Sequence, residues 1–490
     1  MKKAQNRNKI LSAACSAALV LTTLPIAAIA APTSSTNVQD SKVTITGLNP
    51  GDTVTAYLIA DADIDAQNNL SYTFEANVPE AYNTVEKLTA ITSDGNAFKQ
   101  NSVMQNAAGA IAASIATGEG CTDAVASTEG SAELTLGSGY YLVRVSATSG
   151  ESYVYQNMII DVSPKALANG TYAAKDDQAV DVKKTEVTVK KGVGEDYAER
   201  TDLYTVGDKV PFRVSTAIPN YPADSLNATF VIGDAPTAGL KIDVDTIKVN
   251  GTPVADFKGC NFIGNENGYE ITFDKEYILA NPGASIEVTY GAQLTSDAFS
   301  RDADDVTGNT ATVKFNPNPY DAMTVTPNST TKVQTYGYVF PKVGQDGTSD
   351  KALEGAVFTL YDQDGNEVKD ENGRALTSTS TIVNGKAYVY FEDLGAGTYT
   401  AKETTVPAGY LKAPDQKFTL NAEVCKHDNP ATTDMVENNY LVSDDNVVDP
   451  SAPNLPVTGG AGTFAITAAG VVLVCGSLVL VARSRRREEN

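Results

Sequence analysis

Three side chains capable of chemistry stand among apolar residues in the last third of this 490-residue chain. Lys342 follows Val339, Phe340 and Pro341 in a run that reads as a first strand. Glu403 lies mid-strand between Tyr399 and Tyr410, and Asn438 follows Val436 on a final strand. A lysine driven into an apolar core is penalised for its charge and tends to release a proton, which leaves a neutral amine nucleophile. A side-chain amide resists attack until its carbonyl is polarised and its nitrogen can depart as ammonia. A carboxylic acid kept protonated by the same apolar surroundings can assist both steps. Together the three can join two side chains through an amide bond, once and without a cofactor. Asn439 is adjacent to Asn438, and a one-residue slip in register exchanges which of them faces inward.

A second lysine has a similar setting. Val187, Val189, Lys191 and Val193 fall on one face of an alternating strand, so Lys191 points inward and Lys190 outward. The segments around it, "VGDKVPFRVSTAIPNY", "YEITFDKEYI" and "ASIEVTYGAQL", alternate with period two. The region before it combines strand patterns ("KVTITGL", "DTVTAYLIA", "GYYLVRV") with two helical ones, "AYNTVEKLTAI" and "VMQNAAGAIAASIA". Short alternating strands punctuated by Gly, Pro, Asn and Asp predict an all-β fold of tandem immunoglobulin-like β-sandwiches, with some helix in the first. The length allows about three domains. We delimit them as residues 31–164, 186–335 and 336–443, with a linker at 165–185 and a polar, Pro-containing stalk at 444–454.

The two ends read as export and retention signals. Lys2, Lys3, Arg7 and Lys9 precede an apolar run that closes on small residues at Ala28 and Ala30, the pattern of a secretory signal peptide over 1–30. Residues 462–482 carry no charge and have about the 20-residue length of a transmembrane helix. Arg483, Arg485, Arg486 and Arg487 follow and hold the tail 483–490 in the cytoplasm. Removal of the four basic residues of the leader, and of four basic and two acidic residues after Thr458, leaves 29 basic and 58 acidic. So acidic a chain is no partner for nucleic acid or an anionic membrane.

Cys15 and Cys475 lie in the apolar ends. Cys121, Cys260 and Cys425 are an odd number spread along the rest, which indicates no disulfide framework. The single histidine, His427, reads as a surface residue, and "DQDGNE" (362–367) as a hairpin turn rather than a calcium loop. No metal site, cofactor motif or nucleophile elbow appears, and the one reaction expected is of the chain upon itself.

These motifs together resemble a known family. Leu455-Pro456-Val457-Thr458-Gly459, set before an apolar span and an arginine cluster, is similar to the sorting signal of Gram-positive bacteria. "KALEGAVFTLYDQDGNE" with "YTAKETTVPAGY" resembles the collagen-adhesin B-type domain and its E-box, and "VGDKVPFRVSTAIP" with "VIGDAPTAGL" resembles the middle domain of backbone pilins. The whole is similar to the major (backbone) pilins of Gram-positive bacteria.

The resemblance implies intramolecular isopeptide bonds: Lys342 to Asn438 with Glu403 as catalytic acid, and Lys191 to an asparagine with Asp234 as acid. "FNPNP" stands where the family's Asn-Asn-Pro falls, which gives Asn318 as the partner and Asn316 as the reserve. The resemblance also implies cleavage between Thr458 and Gly459, with Thr458 held as an acyl-enzyme on a sortase cysteine. The acyl group then passes to a pilin-motif lysine, and Ser163-Pro164-Lys165 gives Lys165, presented from an extended segment by the proline before it. Lys175, Lys183 and Lys184 are rivals in the same linker. The implied partners are a class C sortase and a housekeeping sortase, other copies of the chain, ancillary pilins, peptidoglycan and, for adhesion, a host surface ligand. The rival reading is a monomeric wall-anchored adhesin that binds a host glycan or matrix protein.

Overall fold

The computed structural model describes residues 39–93, 102–115, 121–148, 152–221, 225–299, 307–319, 322–425 and 438–453. Within them the chain divides into two compact units. The first holds residues up to 149 with 155–185 and 222–226; the second holds 150–154, 186–221 and 227 onward. Among the described residues no helix is long and apolar enough to cross a membrane. The leader, the sorting signal with Leu455, Pro456, Thr458 and Gly459, and the span 462–482 lie outside them.

In the first unit a three-stranded sheet and a larger sheet built on Thr53–Ile64 and Gly139–Ser146 are accompanied by two helices. Thr84 and Ser102 begin the helices Val85–Thr92 and Val103–Ser114 by accepting hydrogen bonds from the backbone N–H groups of Lys87 and Gln105. Such caps satisfy donors that the first helical turn leaves open. Residues 165–185, expected as a linker, are part of this unit. Gln178–Asp181 lies parallel to Ser41–Thr46, with Val43 opposite Gln178 and Thr46 opposite Asp181. This strand is short and half-polar, as edge strands often are, and composition alone does not distinguish it from a loop.

The second unit contains two sandwiches. In the first of these, Lys209–Ala217 pairs with Ser285–Leu294 over nine positions, and its buried residues alternate strictly. Val210, Phe212 and Val214 face Phe230, Ile232, Val313 and Phe315 from the opposing sheet in one core. In the second, Tyr336–Asp346 and Lys386–Leu394 form the centre of one sheet and Val357–Tyr361 and Gly397–Thr405 the centre of the other. Phe340, Phe358, Val389 and Ala401 fill the space between them.

The segment expected as a stalk supplies this sandwich with its last strand. Val447–Pro450 runs parallel to Tyr336–Asp346, with Lys342 opposite Val447. On its other side, Leu411 N–H donates to the Pro450 carbonyl and Ala452 N–H to that of Gly409, both at 2.8 Å.

The two sandwiches meet at a hydrogen-bonded joint. Val206 N–H donates to the Asp393 carbonyl at 2.7 Å, Thr205 and Tyr399 share a hydroxyl contact at 2.8 Å, and Tyr336 donates to Asp202 at 2.8 Å. Asp393 adopts φ 61°, a left-handed conformation that Asp tolerates better than most residues. Its carboxyl is buried, and burial pushes its pKa up to about 7.

Candidate self-crosslinking sites

Lys191 enters the core of the middle sandwich from Lys190–Val193, an edge strand paired with Lys209–Ala217. Its inward direction follows from the alternation seen in the sequence, and its side chain is fully buried. Phe212 and Tyr290 stack with ring centroids 5.4 Å apart, and the Lys191 amine lies 5.2 Å from each centroid. Asp234, from Phe230–Pro236 of the facing sheet, contacts the amine through Oδ2, and its side chain is also fully buried. Desolvation pushes the lysine pKa down to about 8 and that of the aspartic acid upward. Each shift favours a neutral amine beside a neutral acid, although the attraction between the two charged forms opposes it.

The amide at this site belongs to Asn309. It lies on Thr307–Phe315, next to the Asp234 strand, where Asp234 is opposite Ala311 and Pro236 opposite Asn309. Asn309 is 1% exposed; its Nδ2 donates to Tyr290 Oη at 2.9 Å, and its Oδ1 is buried without a hydrogen-bond partner. Tyr290 Oη accepts from Lys191 Nζ at 2.6 Å and donates to Asp234 Oδ1 at 2.8 Å. Amine, acid and amide therefore converge on one phenol.

The structure does not bring Asn318 or Asn316 to this point. Phe315 is opposite Phe230, so Asn316 lies five positions beyond Ala311 along the ladder, roughly 17 Å at the rise of a strand. Asn316 is engaged elsewhere: its backbone N–H donates to Tyr221 Oη at 3.0 Å, and its Nδ2 donates to the Met323 carbonyl at 2.8 Å. Asn309 was legible only as an inward position in "TGNTATVKF", sharing a face with Ala311, Val313 and Phe315.

In the C-terminal sandwich, Lys342 is 0% exposed, and its Nζ lies 2.5 Å from Asp449 Oδ1, also on a fully buried side chain. Glu403 comes from Gly397–Thr405 in the facing sheet and is 2% exposed. Its Oε2 accepts from Ala413 N–H at 2.8 Å, and its carboxyl lies close to that of Asp449. Desolvation pushes the Glu403 pKa up to about 7 and that of Lys342 downward. Gly344, opposite Asp449 in the parallel ladder, leaves room for the Tyr410 ring, which a Cβ there would strike.

The group beside Lys342 is thus Asp449 rather than Asn438. Asn438 is half-buried in a turn, two residues before Tyr440, which is opposite Gly337. Lys342 lies five residues further along that strand, so the two are seven ladder positions apart, roughly 23 Å. The sequence segment "SDDNVVDPS" gave little sign of a buried carboxylate. Val447 and Asp449 do alternate inward there, over a strand too short to show a period.

Lys165 is half exposed, with its Nζ 2.6 Å from Asp176 Oδ2. It belongs to a two-residue ladder, Lys165–Ala166 against Tyr172–Ala173, rather than to an unpaired extended segment. Pro164 cannot donate to a ladder, but the restriction stops at its own nitrogen. Lys175 pairs with Asp161 at 2.7 Å, and Lys184 donates to Asn49 at 2.9 Å. Asp362 closes its hairpin by accepting from Asp364 and Asn366 N–H. Among the described residues no group of three or more His, Cys, Asp or Glu is placed to hold a metal. Cys260 and Cys425 are free thiols, and His427 lies outside the described residues.

Comparison with known proteins agrees with this architecture. The model of the SpaA prealbumin-like fold domain matches residues 339–437, a segment that includes Lys342 and Glu403 and ends before Asp449. Over 365 residues the chain is 27% identical to fimbrial subunit type 2 of Actinomyces naeslundii; the match covers 66% of this chain and 65% of that relative. The T6 backbone pilin of serotype M6 Streptococcus pyogenes shares the fold at TM-score 0.63 and 16% identity, over 86% of this chain and all of that one. The full-length major pilin SpaD of Corynebacterium diphtheriae does so at TM-score 0.51 and 18% identity, over 84% and 98%. The chain carries a SpaA-type prealbumin-like domain and has the fold of backbone pilins. The resemblance to Gram-positive fimbrial shaft proteins drawn from its motifs stands in both sequence and fold.

Proposed function

We propose that this chain is the structural subunit of a covalent pilus, stiffened by two internal amide bonds that form during folding. The observation that carries the reading is the pair of dry sites in which a desolvated lysine meets a protonatable acid and an acyl group. In the middle domain the Lys191 amine attacks Asn309 Cγ, the Nζ–Cγ bond forms, the Cγ–Nδ2 bond breaks and ammonia leaves. In the C-terminal domain the Lys342 amine attacks Asp449 Cγ, and the departing oxygen leaves as water with protons from the amine and the acid. Asp234 and Glu403 act as the catalytic acids. In each case the link ties the first strand of its domain to one far along the chain, which restricts the unfolded ensemble.

Assembly follows from the sorting signal. After export, a class C sortase cleaves between Thr458 and Gly459, and the Thr458 acyl group passes to Lys165 of another copy. A housekeeping sortase attaches the finished fibre to peptidoglycan. The exposed amine of Lys165, held by an exposed ion pair with Asp176, supports its role as the acceptor. Wild-type and Lys165→Ala chains, expressed in cells that assemble the fibre and immunoblotted after boiling in detergent, test the joint. The expected result is a high-mass ladder from the first and monomer from the second; monomer in both overturns the polymer.

A further inference from the structure

We propose that Tyr290 is a catalytic residue of the middle-domain reaction, relaying a proton from the attacking amine to the departing nitrogen. The proposal rests on the self-crosslinking reading above and concerns how the Asn309 site differs from the Asp449 site.

Bond formation at Asn309 moves two protons off Lys191. If the pair starts charged, the first passes from Nζ to Asp234, which contacts it directly. That leaves a neutral amine, and burial favours the neutral pair. The second must travel from Nζ, once it has bonded to Cγ, to Nδ2, because an amide anion is too basic to leave. Tyr290 Oη lies 2.6 Å from Nζ and 2.9 Å from Nδ2, within hydrogen-bond reach of both ends of this transfer. It accepts the Nζ proton and gives its own to Nδ2; Cγ–Nδ2 breaks, ammonia departs, and Tyr290 ends protonated as it began.

The resting hydrogen bond from Tyr290 to Asp234 Oδ1 fits this order of events. Once Asp234 is protonated, that oxygen is a weaker acceptor, and the phenolic hydrogen is free to turn toward Nδ2. Burial and the neighbouring Asp234 hold the phenol well above its ordinary pKa, so it stays protonated until it is used. Its ring is fixed by Phe212 stacked on one side at 5.4 Å and by Tyr269 edge-on at 5.3 Å. In the C-terminal site the carboxyl of Glu403 lies close to that of Asp449, and no nitrogen has to be protonated for the acyl bond to break. Its leaving group is a carboxyl oxygen, which departs as water.

The test is intact-mass kinetics on the full exported chain with Tyr290→Phe, which keeps the ring and removes the hydroxyl. Positioned acid–base groups contribute on the order of a hundredfold or more, so ammonia loss should slow at least about a hundredfold. Water loss from the C-terminal domain should stay at the wild-type rate and report that the chain has folded. A second pair, Asn309→Asp with and without Tyr290→Phe, replaces the amide by an acid. The tyrosine effect should shrink to less than about tenfold there, because no nitrogen has to be protonated. Wild-type ammonia loss in Tyr290→Phe, or equal slowing in both backgrounds, overturns the relay. Absence of ammonia loss from the wild type overturns the self-crosslinking reading instead.

Discussion

The two lysines buried among the described residues, Lys191 and Lys342, meet their acids in different geometries. Lys191 reaches across a sandwich, from a strand of one sheet to an acid and an amide on the other. Lys342 stays within its sheet and meets Asp449 on the neighbouring parallel strand, and only the acid Glu403 comes from the opposite face. The cross-sheet arrangement places a phenol at the centre of the site; the within-sheet arrangement sets amine and acyl group on neighbouring parallel strands. What the sites share is dryness. On the proposed reading a lysine without water, a carboxyl pushed toward its neutral form and an acyl carbon within reach suffice, and the topology that supplies them can vary.

The largest effect is expected at Asp234. Asp234→Ala abolishes the ammonia loss and leaves Lys191 buried without its acid. The cost of the orphaned charge alone is about 3–5 kcal/mol. Thermal unfolding of the middle domain should fall accordingly, and an unchanged transition would mean that the pair is not a constraint. Glu403→Gln removes the acid and keeps the shape while Asp449 still pairs with Lys342. The water loss disappears, and the C-terminal domain loses roughly the stabilisation of its cross-link, about 2–4 kcal/mol, read from denaturant midpoints.

The joint between the sandwiches gives a smaller, pH-dependent effect. The Asp393 pKa is raised to about 7, so the folded state binds its proton more tightly than the unfolded state. Its contribution is complete below the ordinary aspartate range and is lost as pH rises through about 7. The chain should be less stable at pH 8 than at pH 5 by about 2 kcal/mol from this group, a discount on the roughly 1.4 kcal/mol per pKa unit expected for a dry carboxyl. Asp393→Asn, which tolerates the same φ, should flatten that dependence; a slope that persists in the variant assigns it to another group. Gly344→Ala forces the Tyr410 ring aside and should cost about 1–2 kcal/mol in the C-terminal transition. Asn438→Ala and Asn318→Ala should leave both mass losses intact, and the former should stay within about 0.5 kcal/mol of wild type as a half-exposed turn position.

Much of this arrangement was legible in the sequence. The period-two runs gave the sandwiches and the inward face of Lys191. The apolar lead-in to Lys342 and the setting of Glu403 marked both as core positions. The acyl partners were not legible, because which strand lies beside which is a long-range property that periodicity does not carry. Asn318 and Asn438 were assigned from motif position, whereas the register sets Asn309 opposite Pro236 and Asp449 opposite Gly344. Asp449 was further obscured by its acidic surroundings: the segment read as a stalk folds back as the four-residue strand Val447–Pro450, with Val447 and Asp449 both buried.

The most direct measurement is the intact mass of the purified, folded chain after removal of its leader, followed by mapping of the joined peptides. We predict a deficit of one ammonia and one water, with Lys191 joined to Asn309 and Lys342 to Asp449. A mass equal to that of the sequence, or bonds ending at Asn318 or Asn438, would contradict the account.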